Sequence, residues 1–593
     1  MGEEGSGAGR LSSSEGEKTP LIITSKWVCV TNSGKEIVAN AAAFKSTVKI
    51  ILTVQNLDAG KKVNIIIFDD ADKAELDKVE AKVSGNKAET DKIELKEDWA
   101  GKTIKIKVEK EPFEKEFIGA KLKVKHGCKC TVYFRPLDPP PPPGSLPPPS
   151  GSPPPEYYNG EFGFDFLRDG IPDNTKLEYK SYEETIVAGY NPIPFMSDLS
   201  KPKAYSKFKD EYPQIDTNEH LEKAVKYRVP YLNLFPKAFS EASTVEPKPP
   251  FYAKLKLWVR IEHDDVDEIR LEINDADKTF LNINNSTDPF VLSKKNRNTN
   301  VEYSDEITIT CLKKLTENKK ITAYAYPRGC LRKPEKEEQK KERIVVGQLL
   351  VCKNDEIKKQ NFVFVRVKTN IVGFEQAGRF NDNVERANLQ KVLYQALICP
   401  TILVEERDSS GGIQDIFLDL RDDIRFRTAA AVQTAALSAG ATVAAADAAA
   451  RDKNTGLYIR NGNIDFRNEK KNAVHLLHYI KQKFMGIAEN SKYREYFTIF
   501  AFEANYSGRV EDFGIKNVLI ADGRNKTTIA HEAYHGFGLR HTHREEKPIK
   551  DNRQKYIFPD APGIRSTDNI MSYNVDKRKS TWHWQWVIAR KYV

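Results

Sequence analysis

The chain has 593 residues, which is too long for a single hydrophobic core and predicts three or four domains. Its 39% hydrophobic and 10% aromatic content suits globular folding, and its net charge of +9 is a small excess of 93 basic over 84 acidic residues. No concentrated basic run with interleaved aromatic residues accompanies this excess, which argues against a nucleic-acid-binding protein. The seven cysteines are few and odd in number, which argues against a disulfide framework.

Residues 1–22 are rich in Gly, Ser and Glu, a composition that predicts a disordered N-terminus. This segment lacks the basic start and the apolar stretch of a secretory signal peptide. We therefore expect a protein that is secreted or injected by a route that reads other signals, with a cytoplasmic enzyme as the alternative.

Residues 23–137 contain short runs of alternating polar and apolar residues, the clearest at 47–52, 63–68 and 103–108. Several short strands at this spacing predict an all-β, immunoglobulin-like sandwich. Residues 138–156 carry three proline clusters, which favour an extended polyproline II linker and mark a domain boundary.

Residues 157–250 mix aromatic residues with prolines and suit either a connecting layer or a pro-segment-like region. Alternating strands return at 251–355, where Ile273–Lys278 repeats the pattern of Phe68–Lys73 after a strand. We interpret 251–355 as a second β-sandwich and a candidate repeat of the first. Sandwich domains joined to a catalytic domain could engage a surface partner or a secretion apparatus.

The two matching turns each contain a pair of aspartates, Asp70 with Asp72 and Asp275 with Asp277. Calcium accepts carboxylate oxygens as ligands, so these pairs could contact calcium. Aspartate is also common in turns because it tolerates their backbone geometry. We favour plain turns over calcium sites at both places.

Residues 360–593 alternate strands with helices and predict an α+β domain. The strands are predicted at 362–367, 402–404, 497–502 and 517–521, and the helices at 384–397 and 474–484. An alanine-rich insertion at 428–451 is too weakly apolar for a membrane segment and predicts a helix or helical hairpin instead. We therefore expect no membrane span.

The stretch from His531 to His541 has the spacing of a catalytic metal site. An α-helix advances 3.6 residues per turn, so His531 and His535 lie on one face with Glu532 beside them. Gly538 can adopt a positive φ and end the helix, after which the chain offers His541. Three protein ligands leave the fourth position of a tetrahedral zinc ion open, as in catalytic rather than structural sites.

The pattern H-E-x-x-H-x-x-G-x-x-H, followed about thirty residues later by Asn569–Tyr573 around Met571, resembles the metzincin zinc peptidases. The resemblance covers about the last third of the chain. The fold that it implies is an α+β catalytic domain whose lower part holds a methionine turn beneath the metal and a terminal helix.

The resemblance also implies a role for each matching residue. Glu532 would be the general base, Met571 a hydrophobic floor, and Gly538 the residue that ends the metal-binding helix. Tyr573 matches a tyrosine that contacts zinc in some branches of the family and stabilises the oxyanion, and packing is the alternative role. One catalytic Zn²⁺ would be bound by three histidines: His531, His535 and His541.

The other candidate histidines and Cys330 are better explained without a direct role in binding the metal. The family spacing selects His541 as the third ligand, which leaves His543 beside the site or on the surface. His475 and His478 lie on a predicted helix without a carboxylate at ligand spacing. Cys330 could latch the zinc as a pro-segment thiol does elsewhere in this group of peptidases, but a β-turn is the favoured interpretation.

The sequence thus predicts two immunoglobulin-like sandwiches followed by an α+β, metzincin-like catalytic domain. The predicted activity is that of a zinc metalloendopeptidase acting on a protein or peptide substrate, in an exported bacterial effector or toxin. Two alternatives stay open: a metal-binding adhesion or interaction protein without catalysis, and a zinc hydrolase that acts on a non-peptide bond.

Overall fold

The computed structural model describes residues 19–30, 36–43, 46–125, 129–137, 157–169, 181–190, 197–219, 224–263, 266–292, 302–327, 330–332, 334–380, 382–403, 406–407, 413–414, 416–460, 463–464, 475–543, 554–559, 567–573 and 578–593. Most of the predicted disordered segment (1–22) and all of the predicted linker (138–156) lie outside these ranges. The disorder prediction is wrong for Leu21 and Ile22, because both pair with a neighbouring strand at the start of the first sheet.

The protein is built largely of β-sheet, in several separate sheets, which confirms the predicted β-rich, multidomain organisation. Ten N-terminal strands form one sheet in the order β2-β1-β4-β7-β6-β5-β9-β10-β3, with β8 beside β4. They are β1 Leu21–Val30, β2 Glu36–Ala39, β3 Ala41–Ala43, β4 Thr47–Gln55, β5 Lys62–Asp69, β6 Glu75–Ser84, β7 Lys87–Thr90, β8 Ile93–Glu94, β9 Thr103–Val108 and β10 Phe117–Lys125.

This first sheet bends until β1 meets β10. The Trp27 indole of β1 donates a hydrogen bond to the Ala120 carbonyl of β10 at 2.9 Å, and the Ser25 hydroxyl accepts one from the Ala120 amide at 2.6 Å. Alternate side chains of the strands point to one side and form an apolar core around Trp27 and Trp99. The first sheet therefore has a core of its own.

The middle of the chain forms two facing sheets with one shared core. Their orders are β11-β17-β21-β19 and β12-β16-β23-β22-β18-β20, and β14 pairs with β15 apart from them. The strands of this part are β11 Lys129–Pro136, β12 Gly163–Asp165, β13 Ala188–Gly189, β14 Gln214–Thr217, β15 Val225–Arg228, β16 Tyr231–Asn233, β17 Tyr252–His263, β18 Val266–Ile273, β19 Leu281–Ile283, β20 Phe290–Val291, β21 Glu302–Cys311, β22 Lys319–Pro327 and β23 Ile344–Val351.

The pairing of β11 differs from the predicted domain boundaries. The alternating pattern predicts one sandwich over residues 23–137, yet β11 pairs with β17 of the second unit along its whole length. Strands β12 and β16, which lie within the predicted connecting region, also belong to the second unit. Alternation along a strand indicates which face is buried but not which strand lies beside it. The second unit therefore begins at β11 rather than at residue 251.

The two aspartate-rich turns differ in structure, which argues against a simple repeat. The strands around the first turn, β5 and β6, pair with each other, whereas β18 and β19 lie in different sheets. Lysines contact three of the four aspartates at 2.7–2.9 Å: Asp70 with Lys73 and Lys105, Asp275 with Lys278, and Asp277 with Lys319. These carboxylates balance lysine charges in their turns.

The C-terminal part contains the remaining strands and most of the helical residues. Its strands are β24 Lys358–Lys368, β25 Ile398–Leu403, β26 Glu406–Arg407, β27 Ile413–Gln414, β28 Ile416–Asp419, β29 Ile459–Arg460, β30 Asn463–Ile464, β31 Phe497–Ala501, β32 Gly508–Val510, β33 Asn517–Ile520 and β34 Tyr556–Ile557. The α-helices of the described chain are α1 Tyr182–Thr185, α2 Lys201–Lys209, α3 Lys237–Glu241, α4 Lys336–Glu342, α5 Ala387–Gln395, α6 Ala429–Ser438, α7 Val443–Ala450, α8 Leu476–Met485, α9 Thr528–Gly536 and α10 His583–Ala589.

A mixed sheet in the order β25-β24-β31-β33-β32, with β28 also beside β24, organises this part. All of its pairs are parallel except β32 with β33, where the antiparallel β32 forms the edge. Side chains alternate between the two faces of β24. Phe362 and Phe364 join the core that contains α5 and α9, whereas Val363 and Val365 join the core that contains α8.

The alanine-rich insertion folds as two short helices, α6 and α7. The hydroxyls of Thr428 and Thr442 cap their N-termini by accepting hydrogen bonds from backbone amides. Gly440 lies between the helices with φ of +83° and allows the chain to reverse. Among the described helices, none is long and apolar enough to cross a bilayer.

Part of the predicted connecting or pro-segment-like region (157–250) belongs to the C-terminal core. Tyr182 packs edge-on against Trp582 with ring centroids 5.9 Å apart, and Phe208 packs against Tyr556 with centroids 4.9 Å apart. Strand β13 pairs with β34, and buried side chains of this region belong to the same cluster as α9. The predicted domain at 360–593 therefore shares its core with residues upstream of it.

Candidate metal centre

Helix α9, which carries His531, Glu532 and His535, is buried along its whole length. It begins after a turn in which Asn525 Oδ1 accepts a hydrogen bond from the Thr527 amide at 2.8 Å. The Tyr534 hydroxyl donates to the Val392 carbonyl of α5 at 2.9 Å, while Ile529 and Ala533 join the apolar core below the sheet. The sheet and α5 therefore fix the position of α9.

Gly538 ends α9 and reverses the chain. Its φ is +81°, the Gly538 amide donates to the His535 carbonyl at 2.9 Å, and the Leu539 amide donates to the Tyr534 carbonyl at 3.0 Å. These two bonds form a Schellman motif, which favours glycine at this position. A Cβ on residue 538 would also collide with the ring of Tyr592. The chain consequently returns at His541 beside the other two histidines.

The structure brings the three predicted ligands together. The Nε2 atoms of His531 and His535 each lie 3.1 Å from the Nε2 atom of His541. The possible ligand atoms of the three residues all lie within 4.8 Å of one another. Among the described residues, this is the only group of three or more His, Cys, Asp or Glu side chains with that geometry.

Backbone carbonyls set the tautomers of two of these histidines. His531 Nδ1 lies 2.8 Å from the Ile570 carbonyl oxygen, and His535 Nδ1 lies 2.7 Å from the Leu539 carbonyl oxygen. Because a carbonyl only accepts hydrogen bonds, both Nδ1 atoms carry the proton. Each Nε2 atom therefore presents its lone pair to the point where the three rings meet, as in metal sites with histidine ligands.

The donor set fits a metal ion. Burial lowers the pKa of His531 and of His541 well below the usual value, and the nearby Arg578 charge adds to this effect. Both rings are therefore neutral at neutral pH and available as ligands. Zn–N distances of about 2.0–2.1 Å in a tetrahedron separate the nitrogens by about 3.3 Å, close to the separation of His541 from its neighbours. The three histidines could thus hold one metal ion.

The predicted methionine turn contacts the histidine segment at two points. Met571 is fully buried, and its amide donates to Asn569 Oδ1 at 3.0 Å. The Ile570 carbonyl accepts from His531, and the Met571 carbonyl accepts from the Thr542 amide at 3.0 Å. The turn therefore orients one ligand through its ring and holds the backbone next to another.

Glu532 shares the cleft with the histidines and is 8% exposed. Burial raises the pKa of its carboxyl to about 8, although Arg578 and the Val510 amide act in the opposite direction. Gly508 of the edge strand β32 lies across from it, and a Cβ there would lie 3.0 Å from Glu532 Cγ. A glycine on β32 therefore leaves the space that the Glu532 side chain occupies.

Tyr573 follows the methionine turn and lines the cleft, with nearly half of its surface exposed. Its ring centroid lies 4.8 Å from that of His541 and 4.1 Å from that of His543. His543 is buried and stacks on His541, so it packs beside the third ligand rather than joining the three Nε2 atoms.

The remaining candidate residues lie elsewhere. His478 is exposed on α8, where its ring contacts Gln482 and Glu511, and His475 precedes that helix. Cys330 is buried after β22, and its thiol donates to the Gln339 carbonyl. Neither the described part of 157–250 nor Cys330 lines the cleft, so the two alternatives that the sequence leaves open, a pro-segment over the cleft and a thiol latch, find no support in the described residues.

The cleft around the histidines has a volume of about 540 Å³ and contains two arginines that no sequence motif indicates. Arg509 lies on the edge strand β32, and Arg578 follows the methionine turn. Neither arginine belongs to a sequence motif. The fold brings each of them into the cleft, one on a strand and one on a loop. No spacing in the sequence could have indicated them.

Comparisons with known proteins give no family for this chain. No family model matches it, and no curated protein matches it. One solved structure that aligns with it is titled "Crystal structure of tetra-tandem repeat in extending region of large adhesion protein". The alignment has 10% identity and a TM-score of 0.12, and it covers 49% of this chain and 70% of that chain. A similarity at this level carries no conclusion about fold or function.

Proposed function

We propose that the chain is a zinc-dependent endopeptidase of the metzincin type. In this proposal the mixed sheet with α5, α8 and α9 is an α+β catalytic domain, and the preceding β units are immunoglobulin-like modules. One observation carries the proposal above the others. Three imidazole nitrogens converge in a cleft that also contains the Glu532 carboxyl group.

The chemistry divides between the metal and this chain's own residues. When bound, zinc would supply a Lewis acid that acidifies water and polarises the scissile carbonyl. The charge of a bound metal would lower the pKa of Glu532 again, and the ionised carboxylate would take a proton from the attacking water and return it to the leaving amine, as general base and then general acid. Tyr573 lines the same cleft, and its hydroxyl would donate a hydrogen bond to the oxygen on which negative charge develops.

The edge strand β32 supports a peptide as the substrate. It pairs with β33 on one side, and its residues line the cleft. The outer edge of such a strand offers backbone amides and carbonyls to an extended peptide, which can add as a further strand. A peptide bound along β32 would cross the cleft beside Glu532 and the three histidines.

The test is proteolysis of a broad mixture of unfolded proteins by the wild type and Glu532→Ala, with the zinc content of both measured. We expect cleavage by the wild type alone at equal zinc content. Glu489→Ala is a matched control, because Glu489 is an exposed glutamate outside the cleft, and this variant should cleave like the wild type.

Two results would favour the alternatives. Zinc in every variant without cleavage of any protein would favour a metal-binding interaction protein. Hydrolysis of ester or acyl-amide substrates that depends on Glu532, without cleavage of proteins, would favour a zinc hydrolase that acts on another bond.

A further inference from the structure

The cleft contains a buried cation without a carboxylate partner. Arg578 is 8% exposed and lines the cleft together with Glu532 and the three histidines. Its Nε atom donates a hydrogen bond to the Ser572 carbonyl at 2.5 Å, which anchors the guanidinium to the methionine turn. Among the described residues, no carboxylate oxygen lies within 4.0 Å of its guanidinium nitrogens.

Two other arginines with little exposed side chain, Arg168 and Arg524, are each paired with a carboxylate. Arg168 lies 2.5 Å from Asp568, and Arg524 lies 2.5 Å from Glu385. A guanidinium removed from water usually needs such a partner, because its desolvation is costly. The pKa of Arg578 shows this cost, since burial lowers it to about 10. Arg578 therefore lacks the partner that these arginines have.

Of the three acidic residues that line the cleft, Glu511 and Asp512 make contacts elsewhere, and Glu532 acts on Arg578 only through its charge, from beyond ion-pair distance. Glu511 accepts a hydrogen bond from the Asn517 amide at 2.7 Å and lies 3.3 Å from the His478 ring. Asp512 Oδ1 accepts from the Phe513 amide at 2.7 Å. Neither carboxylate is within ion-pair distance of Arg578, so the positive charge stays available to a molecule in the cleft.

We propose that Arg578 binds a carboxylate of the peptide substrate, either an aspartate or glutamate side chain near the scissile bond or a free C-terminal carboxylate. This inference rests on the proposed peptidase function and names its substrate class. A guanidinium presents parallel N–H groups that match the two oxygens of a carboxylate, which makes Arg better suited than Lys to this recognition. Arg578 is thus a specificity-determining residue.

The experiment measures peptide binding without turnover, in the full chain carrying Glu532→Ala and loaded with zinc. The probes are fluorescein-labelled octapeptides, amidated at the C-terminus, that differ only by Glu or Gln at one position, which is moved along the peptide. A second pair carries no acidic side chain and ends in either a free carboxylate or an amide. Fluorescence anisotropy gives the Kd of each peptide, and the ratio within each pair is the readout.

We expect at least one pair to show about a tenfold or larger preference for the carboxylate, equivalent to about 1.4 kcal/mol. Arg578→Gln should reduce that ratio to about one, and Arg578→Lys should retain part of it. Arg590→Gln is the matched control, because it removes the same charge at a partly buried site outside the cleft. This control should keep the wild-type ratio. Which pair responds distinguishes a side-chain carboxylate from a C-terminal one.

The zinc content and thermal unfolding of each variant show whether it is folded, and Arg578→Lys keeps the inference testable if Arg578→Gln does not fold. Equal affinities within every pair, or a preference that persists without Arg578, would overturn the inference. A preference that depends on Arg578 in a protein that cleaves no peptide would support the inference and contradict the peptidase proposal. Cleavage of peptides without any preference for a carboxylate would support the peptidase proposal and contradict the inference.

Discussion

Arg168 and Asp568 form an ion pair of 2.5 Å between residues 400 positions apart, and each side chain is only 5% exposed. Asp568 directly precedes the methionine turn and also accepts a hydrogen bond from the Ser580 hydroxyl at 2.8 Å. Burial acts to raise the pKa of Asp568, but the charges of Arg168 and Lys579 outweigh it and leave the pKa below its usual value. The upstream segment thus holds the turn beneath the histidines.

We predict that Arg168→Met destabilises the protein by about 3–5 kcal/mol, because it leaves the Asp568 carboxylate buried without its partner. Chemical unfolding measures this free energy. The matched control is Arg421→Met, which removes an ion pair of the same 2.5 Å distance between side chains that are half exposed. That substitution should lower the free energy of unfolding by less than about 1 kcal/mol. Equal effects of the two substitutions would contradict a structural role for the buried pair.

The pH dependence of stability should include a contribution from His583. Its ring stacks on Tyr231 with centroids 3.8 Å apart, and burial lowers its pKa to about 4, with Lys555 acting in the same direction and Glu211 against it. As the pH falls, the unfolded chain therefore binds a proton at this histidine at a higher pH than the folded chain does. The free energy of unfolding should fall by up to about 3 kcal/mol between about pH 6.5 and pH 4.

Unfolding of the wild type and His583→Gln between pH 4 and 7 would measure this contribution. Asp165, whose pKa burial raises to about 7, acts in the opposite direction but is present in both proteins. The difference between the two curves therefore isolates His583. Parallel curves would show that the folded protein tolerates the protonated ring.

In the proposed peptidase, Gly508→Ala should lower the rate of catalysis without removing the metal. The added Cβ would lie 2.8 Å from Thr528 Cγ2 and 3.0 Å from Glu532 Cγ, so the Glu532 side chain must move. A displaced catalytic group can lower kcat by about tenfold to a hundredfold. Kinetics on a peptide, together with the zinc content, would test this. Loss of zinc at the same time would mean that the whole of α9 moves instead.

Asn569→Ala should weaken metal binding from outside the ligand set. The Asn569 side chain accepts from the Met571 amide and donates to Gln585 at 2.8 Å, and both bonds shape the turn that orients His531. Loss of an orienting partner typically lowers metal affinity by about tenfold to a hundredfold. Competition with a chelator measures the affinity, and an unchanged value would show that the His531 orientation does not depend on Asn569.

Local sequence patterns were sufficient to predict the local geometry of individual helices and strands. The helical spacing of His531 and His535, and the glycine needed to end their helix, predict an arrangement that the structure shows. The alternation of apolar residues likewise predicts strands such as β24 and β31, because it reflects one or two buried faces. These features depend on neighbours in the chain, which a sequence contains directly.

Features that depend on distant partners were not predictable in this way. The alternating pattern of β11 is compatible with either β unit, and only the pairing with β17 shows to which unit the strand belongs. The packing of Tyr182 on Trp582 and the arrival of Arg578 in the cleft depend on how loops fold over one another. No periodicity carries that information.

The core that the C-terminal part shares with upstream residues limits how this chain can be divided into fragments that fold independently. The sheet β1–β10 has its own core and touches the rest through contacts such as the surface ion pair of Lys123 with Glu342. The residues from β11 onward have interlocked cores, since Tyr231 of the β unit stacks on His583 at the far end of the chain. Modular exchange is therefore open to the first sheet, whereas a truncation at residue 360 would remove upstream residues such as Tyr182 and Phe208 from the core that contains α9.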